Sequence, residues 1–440
     1  MTSAASRIEA LMEIHPKGFD LSLGRIKDLL NKLGSPQNKL PPVIHVAGTN
    51  GKGSAVAFMR AILEAAGLSV HVDTSPHLVN WHERYRLGAK NGPGRLVSDE
   101  TLSDAIRRVA GANDGDEITV FEVLTAVAFL LFSEHPADVC LIEVGLGGRF
   151  DSTNVMEQTA LTVITPVSID HEAFLGDTLA KIAFEKAGII KRKTPLIVGP
   201  QEPEALAVIE QQSARNLAPI AVSGQHFSAH RENGRMVFQN EDCLMDLCLP
   251  RLNGDHQVAN AATAIEACRQ FCLAHGFDLT EADIEQGLSA VEWPGRMQRM
   301  PDGKLSALRP DIGEIWLDGG HNPGAASMIS KHMADLEERD SRPLVLVCGM
   351  LNTKDPKSYF EEFASLARHV FTVPIQSSDA GIPAVELAEI AASVGLKSQA
   401  TNSLREAMLK IEDGLQARVL ICGSLYLVGD ALAQNETPPD

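Results

Sequence analysis

The chain has 440 residues, 44% hydrophobic and 22% charged, an ordinary globular composition that predicts two or three domains. Disordered, collagen-like and disulfide-scaffold classes are excluded. With 39 Lys and Arg against 57 Asp and Glu the formal net charge is −18, so neither nucleic acid nor an anionic membrane surface is expected as a main partner. A local cationic pocket can still take an anionic substrate.

The N-terminal stretch Met1–Arg7 has no long apolar core, so no signal peptide is expected. The apolar run Val123–Phe132 falls far short of the ~18 residues a membrane span needs. The seven cysteines include no C-x-x-C pair, and several sit inside apolar runs, as buried thiols of a reducing compartment do. The expectation is a soluble cytoplasmic protein.

Short apolar runs predict strands at Val43–Ala47, Val139–Val144, Leu161–Thr165 and Leu196–Val198. Later ones are Ile315–Leu317, Leu344–Cys348, Val370–Val373 and Val419–Cys422. Helical patterns lie between most of them. Ala55, Met59, Ile62, Leu63 and Ala66 fall on one helix face. Such alternation with Gly-rich links predicts an α/β protein with parallel sheets covered by helices. Residues from about 200 to 252 read as a small β-rich insertion. Trp293-Pro294-Gly295-Arg296 marks a boundary, giving domains 1–295 and 296–440.

The strongest motif is Gly48-Thr49-Asn50-Gly51-Lys52-Gly53-Ser54, between the strand Val43–Ala47 and a helix expected from about Ser54. Glycines let backbone N–H groups converge on oxyanions, the helix start adds positive potential, and Lys52 supplies a charge. The spacing departs from G-x-x-x-x-G-K-[ST], and Gly53 follows the lysine, so Ser54 is not assigned a metal. The plain alternative is a Gly-rich turn with an exposed lysine.

Glu143 closes the strand Val139–Val144, and Gly145-Leu146-Gly147-Gly148-Arg149 follows. A carboxylate there, beside a phosphate loop, suits Mg2+; alone it would read as a solvated cap. Two further acidic–histidine elements sit after strands: Asp170-His171, and Asp318-Gly319-Gly320-His321-Asn322-Pro323. Ligands gather at carboxyl strand ends in open α/β sheets. Asn352-Thr353-Lys354-Asp355 has the wrong order for a guanine-reading motif and reads as a polar turn.

Taken in order, these motifs resemble the Mur ligase superfamily and, within it, the bifunctional dihydrofolate synthase/folylpolyglutamate synthase family. Thr74-Ser75-Pro76-His77-Leu78 with Glu83-Arg84, Glu143–Arg149 with Asp151, Thr153 and Asn154, and Glu185–Lys191 carry the resemblance. Pro294-Gly295-Arg296 and Asp318 with His321-Asn322-Pro323 complete it. It runs from about Phe19 to Tyr426.

The resemblance implies a P-loop parallel-sheet ATPase domain followed by a smaller Rossmann-like glutamate-ligase domain. It implies that Thr49, Asn50, Gly51, Lys52, Gly53 and Ser54 form the ATP phosphate site, with Asn260, Arg296 and Asp318 also on the nucleotide. It implies Mg2+ at two sites, with Ser75, Glu143, His171 and a carbamylated Lys186 as ligands. Lys52, Lys186 and His321 would carry the chemistry. Phe19, Asp20, Leu21, Phe121, Glu122, Phe150 and Asp151 would line the dihydropteroate site, although Val123-Leu124 departs from the pattern there.

Several of these residues also suit plain roles: Ser75 a turn cap before Pro76, Lys186 a surface lysine, Arg296 an ion pair with a neighbouring carboxylate, Asn260 a helix cap. The implied activity is ATP-dependent addition of L-glutamate to dihydropteroate, to folate (poly)glutamates, or to both, through an acyl phosphate. The implied enzyme is a monomer. The alternatives are a folylpolyglutamate synthase alone, a peptidoglycan amino-acid ligase with a UDP-sugar acceptor, or a P-loop ATPase without ligase chemistry.

Overall fold

The computed structural model describes residues 3–14, 22–90 and 92–439. Its first sheet has eight strands: β1 (Val43–Ala47), β2 (Val70–Asp73), β3 (Tyr85–Ala89), β4 (Gly92–Leu96), β5 (Val139–Glu143), β6 (Leu161–Ile164), β7 (Leu196–Val198) and β8 (Ile220–Val222). They lie in the order β4-β3-β2-β5-β1-β6-β7-β8. The six strands from β2 to β8 in that order are parallel, and the hairpin β3–β4 adds an antiparallel edge.

β1 and β5 are buried at every residue, because helices cover both faces. On one face Ile44, Val46 and Leu141 pack on the helices Lys52–Ala65 and Asp255–His275. On the other, Val43, Cys140 and Ile142 meet the helices Asp99–Asn113 and Val120–Glu134.

A three-stranded antiparallel sheet follows, made of β9 (Phe227–Glu232), β10 (Arg235–Asn240) and β11 (Leu244–Leu247). The expected β-rich stretch is therefore narrower than residues 200–252. Pro203–Asn216 is a helix, and β8 belongs to the main sheet. Ala205, Ile209 and Ser213 of that helix are buried at four-residue spacing, a thin apolar stripe easily missed in sequence.

The last sheet contains β12 (Gln298–Arg299), β13 (Glu314–Asp318), β14 (Leu344–Cys348), β15 (Ala367–Thr372), β16 (Ser398–Ala400) and β17 (Arg418–Cys422). Its order is β12-β13-β17-β14-β15-β16, parallel except for β12. Two α/β domains result. They touch where Leu78 and Val79 enter the apolar cluster of the helix Leu425–Asn435. Gly429 makes this approach possible, since a Cβ there would lie 2.0 Å from the Leu78 carbonyl oxygen. Among the described residues no helix is long and apolar enough to cross a membrane.

Candidate active site

The carboxyl ends of β1, β5 and β6 converge, because β1 lies between the other two. The chain leaves β1 into the loop 48–51, and the helix begins at Lys52, two residues before the expected start. Gly51 caps it with φ 84°, a left-handed conformation that glycine adopts without penalty. Packing requires glycine as well: a Cβ on Gly48 would lie 1.9 Å from Thr165 Oγ1, and one on Gly53 would lie 2.5 Å from the Trp293 ring.

The Thr49 and Asn50 amides donate to Pro166 O at 2.9 and 3.2 Å. Those two N–H groups are thus engaged by the loop after β6. The first helical bond of the next segment runs from Ala55 N to Gly51 O, so the amides just before Ala55 form the open helix end. Ser54 is buried and accepts from Gln257 Nε2 at 3.3 Å. Asn260 lies within the helix Asp255–His275, whose N-cap is Gly254, so it is not a cap. Its side chain donates to Gln257 Oε1 at 3.1 Å and packs against Gly51.

Two lysine side chains meet over this loop. Lys52 Nζ donates to Gly48 O and Thr49 O at 3.1 and 3.3 Å. Lys186 Nζ donates to the same Gly48 O at 2.8 Å from the helix Leu179–Ala187. Lys186 is buried rather than on the surface, and burial, with Lys52 nearby, lowers its pKa to about 7. Glu143 is also buried and lies 4.0 Å from Lys52. Burial raises its pKa, against the pull of Lys52, the Ser75 amide and Arg296. Ser75 N donates to Glu143 Oε2 at 3.4 Å, which places Ser75 at the carboxylate.

Asp170 and His171 follow β6. Burial opposes the charge on Asp170, but contacts with His321 and Lys354 outweigh it and hold the carboxyl far below the usual range. Burial lowers the His171 pKa to about 4 despite Asp170. From the second domain, Asp318 binds two backbone amides, Met297 N at 2.8 Å and Gly320 N at 2.7 Å. Arg296 Nη1 donates to Gly295 O at 3.2 Å and lies against Gly319. His321 Nδ1 pairs with Gly319 O, which directs Nε2 to within 3.7 Å of Asp170 Oδ2.

The expected dihydropteroate residues divide into three groups. Phe19, Asp20 and Leu21 lie outside the described residues. Phe121 packs on Gly145, and Phe150 lies beneath the Arg149 guanidinium at 4.6 Å, both on the β5 side. Glu122 and Asp151 are both buried. Glu122 closes a capping box with Thr119 and takes Arg25 Nε at 3.2 Å. Asp151 accepts from Leu146 N, Thr153 N and Thr153 Oγ1, pinning both ends of the loop after β5.

Two cleft residues received no role from the sequence: Asn322, inside the His321-Asn322-Pro323 motif, and Lys354. Asn322 exchanges amide hydrogen bonds with Asn50 at 3.1 and 3.4 Å. Lys354 reaches Asp170 Oδ1 at 2.6 Å. The only signal for Lys354 was its place after a buried strand, in the turn set aside as a false guanine motif. Beside this constellation a cavity of about 810 Å3 runs between the domains, bounded by Gly53, Ser75, Glu143, Trp293, Arg296 and Leu425.

Among the described residues, no three His, Cys, Asp or Glu side chains cluster as a ready metal cage. The buried Glu143 carboxylate with Ser75 beside it fits a cation that draws its remaining ligands from phosphate and water. As an ammonium Lys186 is a donor only and repels a cation, whereas a carbamylated Lys186 offers carboxylate oxygens.

A phosphate loop at a strand–helix junction, overhung by the strand ends of a second α/β domain, defines an ATP-dependent ligase. Residues 304–434 match the family described as dihydrofolate synthetase, C-terminal domain. Dihydrofolate synthase/folylpolyglutamate synthase of Bacillus subtilis is 33% identical over 428 residues, covering 94% of either chain. Folylpolyglutamate synthase of Lacticaseibacillus casei is 32% identical over 412 residues, 92% of either chain. Escherichia coli FolC, solved in complex with DHPP and ADP, superposes with a TM-score of 0.86 at 29% identity over 98% of this chain and 97% of its own. This chain belongs to the dihydrofolate synthase/folylpolyglutamate synthase family.

Proposed function

We propose that this enzyme adds L-glutamate to dihydropteroate and to folate (poly)glutamates, with residues 1–295 as the ATP-binding domain and 296–440 as the glutamate-ligating domain. It works as a cytoplasmic monomer. The observation that carries the reading is the meeting of Lys52, Glu143 and Asp170 with His321 and Asn322 of the other domain around one cleft.

A carboxylate and an amine form a salt in water, so the acceptor carboxylate must first become an acyl phosphate. Its oxygen attacks the γ-phosphorus of ATP and ADP leaves. The glutamate amine then attacks the acyl carbon, losing a proton, and phosphate departs. The chain's part is charge neutralisation and positioning. Lys52 swings from the carbonyls of Gly48 and Thr49, which it caps here, to the phosphate oxygens. The open helix end at residues 51–54 meets the same anion. Arg296 and Asp318 hold the nucleotide from the second domain, and His321 lines the cleft near the phosphates. Closure keeps water from the acyl phosphate.

Mg2+ at two sites, on Ser75 and Glu143 and on His171 and carbamylated Lys186, would neutralise phosphate charge. Burial favours the neutral Lys186 amine, the form that adds CO2. Intact mass and peptide mapping after equilibration with bicarbonate test this: one CO2 on Lys186 supports it, and an unmodified lysine removes that ligand.

The functional test is ADP release by the purified enzyme with ATP, Mg2+ and L-glutamate, with dihydropteroate, tetrahydrofolate or a UDP-muramyl sugar as acceptor. Glutamate-dependent turnover with both pterins is the expected result. Turnover with tetrahydrofolate alone reduces the activity to polyglutamylation, and turnover with the muramyl sugar alone overturns the folate reading.

A further inference from the structure

Lys354 lies in the turn after β14, and that turn is fastened from its own side. Lys354 N bonds Leu351 O at 3.1 Å, and Asn352 N bonds Ala380 O at 2.9 Å. The side chain leaves the second domain and ends 2.6 Å from Asp170 Oδ1, across 184 residues of sequence. Only 7% of the Lys354 side chain and 10% of the Asp170 side chain are exposed. The other oxygen of Asp170 receives Asn322 Nδ2 at 3.3 Å and faces His321 Nε2 at 3.7 Å. Three side chains from two loops of the second domain therefore converge on one carboxylate of the first.

That carboxylate is central to the site. His171 is the next residue, and Lys354 Nζ stands 3.5 Å from its Nε2. Through Asn322 the same cluster reaches Asn50 of the phosphate loop, which in turn donates to Ser168 Oγ at 3.1 Å. The exposed cross-domain pair Lys331–Asp255, 3.4 Å apart with side chains 65% and 51% exposed, offers an internal contrast. Water screens that pair, whereas the buried one leaves a stranded charge if either partner is lost.

We infer that Lys354 is a positioning residue for the ligase reaction: its ion pair with Asp170 sets the second domain against the His171 loop and the phosphate loop. The inference rests on the ligase reading of the cleft. The acyl phosphate forms on the first domain's loops and must be met by an amine held between the domains. A latch at Asp170 fixes that distance without touching the reacting atoms.

The test uses the full-length enzyme and the variants Lys354→Met, Lys354→Arg and Lys331→Ala. Lys354→Met is expected to lose about 100-fold in kcat, the order that a small misplacement costs, with KM for ATP within about 3-fold of wild type. Hydrogen–deuterium exchange of residues 168–176 is expected to quicken in the ligand-free variant. Lys354→Arg recovers most of the kcat, and Lys331→Ala matches wild type.

A Lys354→Met enzyme with wild-type kcat, a loss confined to KM, or unchanged exchange at 168–176 overturns the inference. The double variant Asp170→Asn/Lys354→Met guards against simple misfolding, since it buries no unpaired charge. Continued low kcat in that folded protein supports the latch, and restored kcat overturns it. Wild-type enzyme that releases no glutamate-dependent ADP defeats the ligase reading instead, and the exchange data then judge the latch alone.

Discussion

The two sides of the cleft are built differently. The phosphate-loop side is made by close backbone approach: Gly48 against Thr165, Gly51 against Asn260, Gly53 against Trp293. The second-domain side is made by side chains that reach: Lys354 and Asn322 onto Asp170, with His321 beside it. The first kind of construction needs a particular residue at a particular place in one short segment. The second depends only on where two distant loops arrive. A substitution on the first side should break packing; one on the second should leave the fold and misalign the halves.

The largest expected effect separates function from stability at Glu143. Glu143→Gln removes the buried charge whose pKa burial already raises. Ligase turnover should fall roughly 100- to 1000-fold, as for loss of a central electrostatic group. Thermal unfolding should stay at or above the wild-type midpoint, because a desolvated charge is gone. A variant that loses stability and activity together would make Glu143 a structural residue.

Next comes the backbone side. Gly48→Ala puts a Cβ 1.9 Å from Thr165 Oγ1 at a φ of 151°. A stability loss of about 2–4 kcal/mol is expected, measured by urea or thermal unfolding. A near-neutral result would show that this loop yields more easily than its contacts imply.

The domain contact sharpens the contrast. Gly429→Ala collides with the Leu78 carbonyl at 2.0 Å and must push the domains apart there. About a tenfold drop in kcat is expected with little change in the unfolding midpoint, since each domain keeps its own core. Kinetics and melting of one preparation check both halves of that statement.

The last effect concerns pH. Burial lowers the His45 pKa to about 3, below an unfolded value of about 6.5. The unfolded chain therefore binds the proton first as pH falls, and this residue's contribution to stability rises with pH between those values. The slope is about 1.4 kcal/mol per pH unit for one fully buried group. His45→Asn loses the Nε2–Thr153 Oγ1 contact of 2.9 Å and is less stable at pH 7. Its deficit against wild type should shrink from pH 7 to pH 5, measured by parallel urea titrations. A constant deficit would contradict the buried neutral imidazole.

Sequence patterns carried the backbone side well. β1, β7 and β14 begin and end where the runs Val43–Ala47, Leu196–Val198 and Leu344–Cys348 do, since a strand buried on both faces is almost continuously apolar, with only His45 of β1 breaking the pattern. Strands β2, β3 and β4 left no such trace. β4 reads Gly92-Pro93-Gly94-Arg95-Leu96, a turn composition that becomes a strand only because β3 pairs with it at the sheet edge. Motif order reached Glu143, Asp170 and Asp318 because each ends or follows a parallel strand. It did not reach Lys354, whose partner is 184 residues away. Nor does a motif show that the chain itself holds both oxygens of a buried carboxylate, as at Asp151 and Asp318.

The account's central claim is that ATP activates a carboxylate as an acyl phosphate in the cleft between the domains. The direct measurement supplies an acceptor with an 18O-labelled carboxylate, together with ATP, Mg2+ and L-glutamate, and follows the label by mass spectrometry. Transfer of one labelled oxygen into the released phosphate for each amide formed is the predicted result. Amide formation with unlabelled phosphate would contradict the acyl-phosphate route and the cleft chemistry built on it.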